Sequence, residues 1–436
     1  MKHDNPKHST NTPTPPLVAI DLGSNEIRAM AAQRVGPNTL KILGVERSQR
    51  QPCVDRGIVV QSSGAGFMIK EVLQLLGNRI GVKDLPTAFT LLGGRTVKTA
   101  PVKSKRDQGY PRPITEALLD EMEKECKQKT EANNPEVAVL GLFPLYFVLD
   151  GKEQNERPQV TQTASVIEAH YMAFVGCKAA EQKVTDSFNH ASKVIEQAFV
   201  RPDALLSAFA NEDDTILTDG CAIIDFGAQT TTLTIYKGNQ YLLNKVVPCG
   251  GWNITRLIEQ QGFSFGTAEK LKCTYGFASP AQVKTNQKIT IRSANYNETI
   301  TVTTDELAQA IQLKLDEAVN PLMEILASYE HRIKSLFITG GGSMLQGLDE
   351  YLQSKTSIPV LFGSHASLLT PLTKEEYEYY KPTYSALVGA LILGADYRDT
   401  HRELSTDNKS KFIEQIEKLK HKMTGTTLAL FTEQDY

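Results

Sequence analysis

Apolar positions change their period several times along the chain, and the changes divide it. Leu17 to Ile20 is an unbroken apolar run, as expected of a strand buried on both faces. A polar turn, Asp21 to Asn25, and a second strand follow. Residues 38–60 continue as strands broken by Gly44, Pro52 and Gly57. Phe67, Ile69, Val72, Leu75 and Leu76 recur at helical spacing over 66–77, and Gly77 is expected to end that helix. From Leu85 the texture changes. Strands over 87–93 and 95–103 lead to a charged, Pro-containing loop, Lys103 to Pro113, then to a helix from the N-cap Thr115 to Thr130. Long strands at Val137–Leu149 and Gln162–Val175 flank a loop at 151–158, so that 85–177 reads as a compact β-α-β-β insertion.

A helix over 179–198 follows, and Pro202 opens another at 203–211. After an acidic loop, Glu212 to Asp214, a second strand–turn–strand occupies 221–237. The pattern then predicts a helix at 265–275, a hairpin at 287–303 turning at Asn295–Asn297, and an amphipathic helix at 306–328 capped by Asp305. Ser335 to Ile338 form a strand that runs into Gly340, Gly341 and Gly342, with a helix at 344–354. Two strand-rich halves flank the insertion and open with the same device, an internal repeat of structure rather than of sequence.

Composition narrows the class. The 436 residues suit two to four domains, and 41% hydrophobic with 22% charged residues is globular usage. A net charge of −3 argues against nucleic acid as the main partner. Six cysteines, at 53, 126, 177, 221, 249 and 273, show no C-x-x-C spacing and read as buried reduced thiols. Residues 1–16 lack the apolar stretch of a signal peptide and read as a disordered tail. Leu387 to Ala395 is too short to span a bilayer.

Three segments carry chemistry. In Asp21-Leu22-Gly23-Ser24-Asn25 a strand delivers an Asp, and a glycine lets backbone N–H groups turn toward an anion. Alone this reads first as an ordinary hairpin turn. Ala222 to Thr231, with Asp225, Gly227, Gln229 and Thr230, repeats it some 200 residues later, and two facing hairpins would grip a phosphate chain. In the third segment, Thr339 to Ser343, a strand ends in three glycines whose bare backbone can lie against a nucleoside. It is neither a P-loop nor a G-x-G-x-x-G fingerprint.

In this order the three segments resemble the phosphate-1, phosphate-2 and adenosine motifs of the superfamily of actin, heat-shock chaperone ATPases and sugar kinases. Arg201 to Asn211 and Tyr384 to Ala390 resemble its two hinge helices. Within the superfamily the chain is similar to FtsA, the bacterial cell-division actin, over about 17–400. The 85–177 insertion resembles FtsA's small domain in Leu142 to Gly151, Pro158 and Ile167 to His170. Ala268-Glu269-Lys270-Leu271-Lys272 resembles an A-E-x-x-K helix that approaches the ribose or adenine, although Glu269 and Lys272 also fit a surface salt bridge.

The resemblance implies an α/β, actin-like (ribonuclease H-like) two-lobed ATPase fold. Its subdomains would be 1A (17–84, 178–216 and 383–400), 1C (85–177), 2A (217–252 and 304–382) and 2B (253–303). It implies ATP and Mg2+ as cofactors. Asp21, Gly23, Ser24, Asn25, Asp225, Gly227, Gln229, Thr230, Thr231, Gly250, Gly251, Glu269, Lys272, Gly340, Gly341, Gly342 and Ser343 would bind the nucleotide. Asp21 and Asp225 would serve the metal, and no catalytic residue is assigned. Ala228 and Gln229 replace two glycines of phosphate-2, and Thr232 replaces its closing Asp, which favours binding over hydrolysis. Gln229 reads as a solvent-facing turn residue or one that orients a water.

After a linker at 401–408, Phe412, Ile416, Leu419 and Met423 fall on one helical stripe, with Lys409, Lys411, Lys420 and Lys422 on its flanks. Residues 409–423 hold five Lys and two Glu, hence +3, which suits an anionic membrane surface. The pattern equally fits a helix docked on the body or a short coiled coil. FtsA proteins commonly end in a membrane-targeting helix, and here 13 residues follow it. The resemblance further implies filaments, the FtsZ C-terminal peptide and later division proteins as partners, on the cytoplasmic side of the inner membrane. The rival reading is an exopolyphosphatase, whose phosphate-1 motif Asp21 to Arg28 also matches. It explains neither Thr232 nor the insertion and tail. A heat-shock chaperone would need a substrate-binding domain after the ATPase.

Overall fold

The computed structural model describes residues 15–403, apart from 49–51, 211–214, 239 and 295–297. The chain forms two compact units, Met1–Ile392 and Leu393–Tyr436. The first opens with a meander of β1 (Leu17–Leu22), β2 (Ile27–Gly36) and β3 (Thr39–Arg47). A small hairpin, β4 (Val54–Asp55) and β5 (Ile58–Val59), precedes α1 (Ser62–Ile80) and β6 (Thr87–Leu92). An excursion follows through β7 (Lys98–Pro113), α2 (Glu116–Asn133), β8 (Val137–Leu149), β9 (Lys152–Gln154) and β10 (Thr163–Cys177). The chain returns by α3 (Lys178–His190) and β11 (Val194–Val200). The first sheet has the order β11-β6-β1-β2-β3, and its core gathers Ile20, Ile69, Val72 and Phe188.

Helices α4 (Arg201–Ala210) and α5 (Thr215–Asp219) lead to β12 (Cys221–Phe226), β13 (Thr231–Lys237) and β14 (Gln240–Val247). Next come α6 (Gly251–Glu259), α7 (Phe265–Tyr275) and the hairpin β15 (Lys288–Arg292) and β16 (Thr299–Thr303). Then α8 (Thr304–Ala327), β17 (Ser335–Thr339), α9 (Leu348–Gln353), β18 (Val360–Phe362) and α10 (Ser385–Glu403) complete the described chain. The second sheet has the order β14-β13-β12-β17-β18. It duplicates the first strand for strand. The central β1 and β12 each have an antiparallel neighbour on one side and a parallel one on the other. Every residue of β12 is buried, which is why it reads as a continuous apolar run ending in a single carboxylate.

The excursion is a four-stranded sheet, β7-β10-β8-β9, with α2 packed on Phe147, Ile167 and Tyr171 through Leu119 and Met122. Here the expected layout needs corrections. β6, expected inside the insertion, is a strand of the first sheet, paired with β1 and β11. The expected loop Lys103–Pro113 is strand, because β7 pairs with β10 from Lys98 to Pro113. Its inward positions are polar, and Ser104 and Arg106 meet Glu125 of α2 at 3.3 and 3.4 Å, so no apolar alternation announced it.

Other boundaries moved for local reasons. The helix expected to reach 198 stops at His190, since Val194 to Val200 pairs in parallel with β6. α1 runs past Gly77 to Gly81, whose φ of 72° suits the left-handed cap. Thr303 rather than Asp305 caps α8, in a capping box with Glu306. The expected helix at 344–354 is a 3-10 turn, Gly341–Met344, and then α9. Asn295–Asn297 lie outside the described residues. Cys273 is exposed and Cys177 half-buried, whereas Cys53, Cys126, Cys221 and Cys249 are buried, all as free thiols. No described helix is long and apolar enough to cross a membrane. In the described part of the second unit, the Tyr397 and His401 rings lie 4.0 Å apart.

Two features of α4 bear on stability. Its Ala204 carbonyl lies against Gly389 of α10, where an added Cβ would stand 1.7 Å from the oxygen. Gly389→Ala therefore forces the helices apart and is expected to cost about 1–3 kcal/mol; an unchanged urea midpoint would refute this close crossing. Asp203 accepts a 2.8 Å hydrogen bond from the Tyr241 hydroxyl. Burial pushes its carboxyl up to about 6, against the opposing effect of that hydrogen bond. Its contribution to stability is full below its unfolded pKa of about 4 and is lost as pH rises through about 6. Urea midpoints of the wild type should therefore fall relative to Asp203→Asn between those pH values; parallel curves would contradict the shift.

Candidate functional site

The duplicated sheets bring two Asp-bearing strand ends to one cleft of about 630 Å3, within the size range of small-molecule pockets. Asp21, Gly23, Ser24 and Asn25 line one wall. Asp225, Gly227, Gln229, Thr230 and Gly251 line the other, with Glu269 and Lys272 from α7 and Gly341 and Gly342 at the end of β17. Four expected residues sit behind this surface. Thr231 is buried and donates to the Cys249 carbonyl at 2.7 Å. The Gly250 N–H donates to Asn253 Oδ1 at 3.0 Å. Gly340, with φ of 85°, lies against Asp225 Oδ1, and Ser343 turns inward to the Gly340 carbonyl at 2.7 Å.

The hairpins are already braced by protein. Ser24 Oγ accepts from the Gly57 N–H at 3.0 Å, and Asn25 Oδ1 accepts from the Trp252 indole at 3.2 Å. The first N–H groups of α6, Gly251 and Trp252, donate to the Gly227 and Ala228 carbonyls at 3.0 and 2.7 Å. The helix thus stiffens the second hairpin rather than offering those donors to a ligand. A side chain at Gly250 would stand 2.5 Å from the Gly227 carbonyl oxygen, so glycine is required for this close approach. Arg28 pairs with Glu26 at 2.5 Å and donates to the Thr383 carbonyl at 2.9 Å, tying the first hairpin to the segment before α10.

Gln229 is not the solvent-facing turn residue it resembled. Its Oε1 accepts from the Arg56 N–H at 2.8 Å, and its Nε2 donates to Asp55 Oδ1 at 2.9 Å. It crosses the cleft to the turn between β4 and β5. There Arg56 (φ 50°) and Gly57 (φ 72°) are both left-handed, as a two-residue hairpin demands. On α7, Lys272 Nζ meets Glu269 Oε2 at 2.8 Å, the Gly251 carbonyl at 3.0 Å and Thr255 Oγ1 at 2.9 Å. Burial alone would raise the Glu269 pKa, but Lys272 outweighs it and holds the carboxyl below its ordinary range. This i,i+3 pair is one edge of the cleft, not a free surface bridge.

Asp21 and Asp225 do not face each other across open space. Arg201, the first residue of α4, donates from Nη1 to Asp21 Oδ1 at 2.7 Å and from Nε to Asp225 Oδ2 at 2.5 Å. Burial works against the guanidinium charge, but the two carboxylates outweigh it and raise its pKa above the ordinary value. Asp225 Oδ1 is buried with no hydrogen-bond partner among the described residues. With one oxygen of each carboxylate on Arg201 and the second oxygen of Asp225 sealed in, the pair does not fit a Mg2+ held directly by both carboxylates, which needs free oxygens at about 2.0–2.1 Å from the ion. Among the described residues no cluster of three or more His, Cys, Asp or Glu could hold a metal ion. The sequence carried a hint of Arg201: a cation in the first turn of a helix opposes the dipole and implies negative partners.

Two duplicated sheets closing on one cleft through paired Asp hairpins define an actin-like protein. Solved structures agree. The fold is similar to the PilM-PilN type IV pilus biogenesis complex, with a TM-score of 0.63 and 18% identity over 88% of this chain and 99% of that one. It is also similar to MreB5 of Spiroplasma citri bound to ADP, with a TM-score of 0.51 and 12% identity over 89% and 99% of the two chains.

Within that class the chain is similar to cell division protein FtsA, whose family model matches residues 222–389. Curated relatives under that description are 21% identical over 81% of this chain and 78% of the Enterococcus hirae protein. The Buchnera aphidicola protein is 20% identical over 90% and 94% of the two chains.

The cross-cleft bridge of Gln229 generates a prediction. Gln229→Ala removes two hydrogen bonds and should cost about 1–2 kcal/mol, with faster hydrogen exchange at the Arg56 amide. Unchanged protection at that amide would mean the bridge does not persist in solution.

Proposed function

We propose that this protein is an ATP-binding, actin-like adaptor of bacterial cell division, which assembles into filaments and tethers FtsZ to the cytoplasmic face of the membrane. The observation that carries this reading is the cleft between duplicated Asp hairpins in a relative of FtsA. The hairpin segments 21–25 and 227–232 would hold the phosphates, Gly341 and Gly342 would lie against the nucleoside, and Glu269 and Lys272 would sit by the ribose. A structure of similar fold carries ADP in its own description. Nucleotide, when bound, would act by favouring the closed lobes over the open ones.

Turnover is slow or absent on this reading. Thr232 stands where a closing carboxylate is expected, and the Gln229 amide is engaged with Asp55 rather than aimed at a water. In this scheme the excursion at 98–177 is the inserted subdomain 1C and the docking place of later division proteins. The two sheets would anchor subdomains 1A and 2A, and α6 to β16 would make up 2B. The FtsZ C-terminal peptide would bind the second lobe.

The membrane contact rests on Phe412, Ile416, Leu419 and Met423 with Lys411, Lys420 and Lys422, all of which lie outside the described residues. The test is flotation with anionic liposomes in the presence of ATP, comparing the full chain with one ending at Asn408. Flotation of the full chain alone is expected, with salt weakening it. If both chains float equally, or neither does, the tail is not the tether.

A further inference from the structure

The pair of carboxylates that the fold would devote to a metal is filled by the protein's own cation. Arg201 reaches it from the start of α4, and its guanidinium uses Nη1 for Asp21 and Nε for Asp225. The charge is fixed, since an arginine does not deprotonate in a protein. The other oxygen of Asp225 offers no alternative ligand. It is sealed in, and even a Cβ at Gly340 would stand 2.4 Å from it. A dication entering here would have to expel the guanidinium and leave it without its two partners, or sit beside a like charge. The remaining Nη2 group has no protein hydrogen bond among the described residues, and Arg201 lines the cleft with Gly23, Ser24 and Thr230. A planar guanidinium with an unused edge, lining the same cleft as the turns read as phosphate-holding, has the chemistry by which arginine takes phosphate oxygens.

We propose that Arg201 is a resident cation. It stands where a divalent metal would sit between Asp21 and Asp225, and presents Nη2 to the phosphates of a nucleotide, which then binds without a metal ion. This rests on the reading of the cleft as a nucleotide site. It explains why the lobes are bridged at their carboxylates by the chain alone, and why a carboxylate at 232 is dispensable. The Thr232 side chain lines the same cleft and has no metal-bound water to position.

The test compares the full-length wild type with Arg201→Gln and Arg201→Lys. A fluorescent ATP analogue is titrated in saturating Mg2+ and in excess EDTA, and Mn2+ alone is followed by electron paramagnetic resonance. Wild-type affinity should agree within about threefold between the two buffers, and the wild type should not immobilise Mn2+ in the absence of nucleotide. Arg201→Gln should lose about tenfold or more in EDTA and regain affinity in Mg2+, because the freed carboxylates then accept metal. Arg201→Lys, which keeps a charge, should lose less. Wild-type binding that requires Mg2+ overturns the proposal and leaves the nucleotide reading standing. No binding in either buffer removes the nucleotide reading itself, and this proposal with it. If the variants fail to fold, the wild-type comparison decides alone.

Discussion

Two aspartates at the ends of two central strands must lie a few ångströms from one cation, and much else in this molecule is arranged around that requirement. β1 and β12 each carry their carboxylate to the rim of the same cleft, where like charges would repel. Arg201 resolves the conflict from within the chain, bonded to both at 2.7 and 2.5 Å. A buried arrangement of this kind is costly to desolvate and adds little net stability, but removal of one partner strands the others. It holds the two strand ends in one register, with both carboxylates on the same planar guanidinium.

The neighbouring contacts reinforce that register by other means. Gln229 reaches the β4–β5 turn, Trp252 reaches Asn25, and Arg28 reaches Thr383, so each hairpin is tied to a segment distant in sequence. Behind them, α4 and α10 cross at Ala204 and Gly389 with no room for a methyl group. α4 carries both contacts, with Arg201 as its first residue and Ala204, the crossing point, as its fourth.

Relatives stand at 20–21% identity, and the likeness to solved structures is a likeness of fold. At this distance the side chains that fill the cleft are free to change while the backbone that shapes it is kept. In this chain Arg201 and Gln229 bridge the cleft, and Thr232 lines it. Together they describe a cleft built to hold its lobes with protein groups.

The repeat of strand, Asp, glycine turn and strand was legible in the sequence, because a strand buried on both faces must be uniformly apolar and a carboxylate at its end stands out. The three glycines after β17 and the helix Phe265–Tyr275 were legible for similarly local reasons, namely backbone clearance and helical spacing. The α2 cap at Thr115 was another, with its side chain accepting from the Leu118 N–H. What lay beyond the sequence depended on partners far along the chain. β7 is a strand because β10 pairs with it, although its inner face is polar; Val194 to Val200 is a strand because β6 lies beside it, although its spacing also suits a helix. Above all, the use of Asp21 and Asp225 was decided by tertiary structure. The resemblance implied a metal between them, but which cation stands between two carboxylates 204 positions apart depends on what a third segment delivers to them, and the fold delivers Arg201.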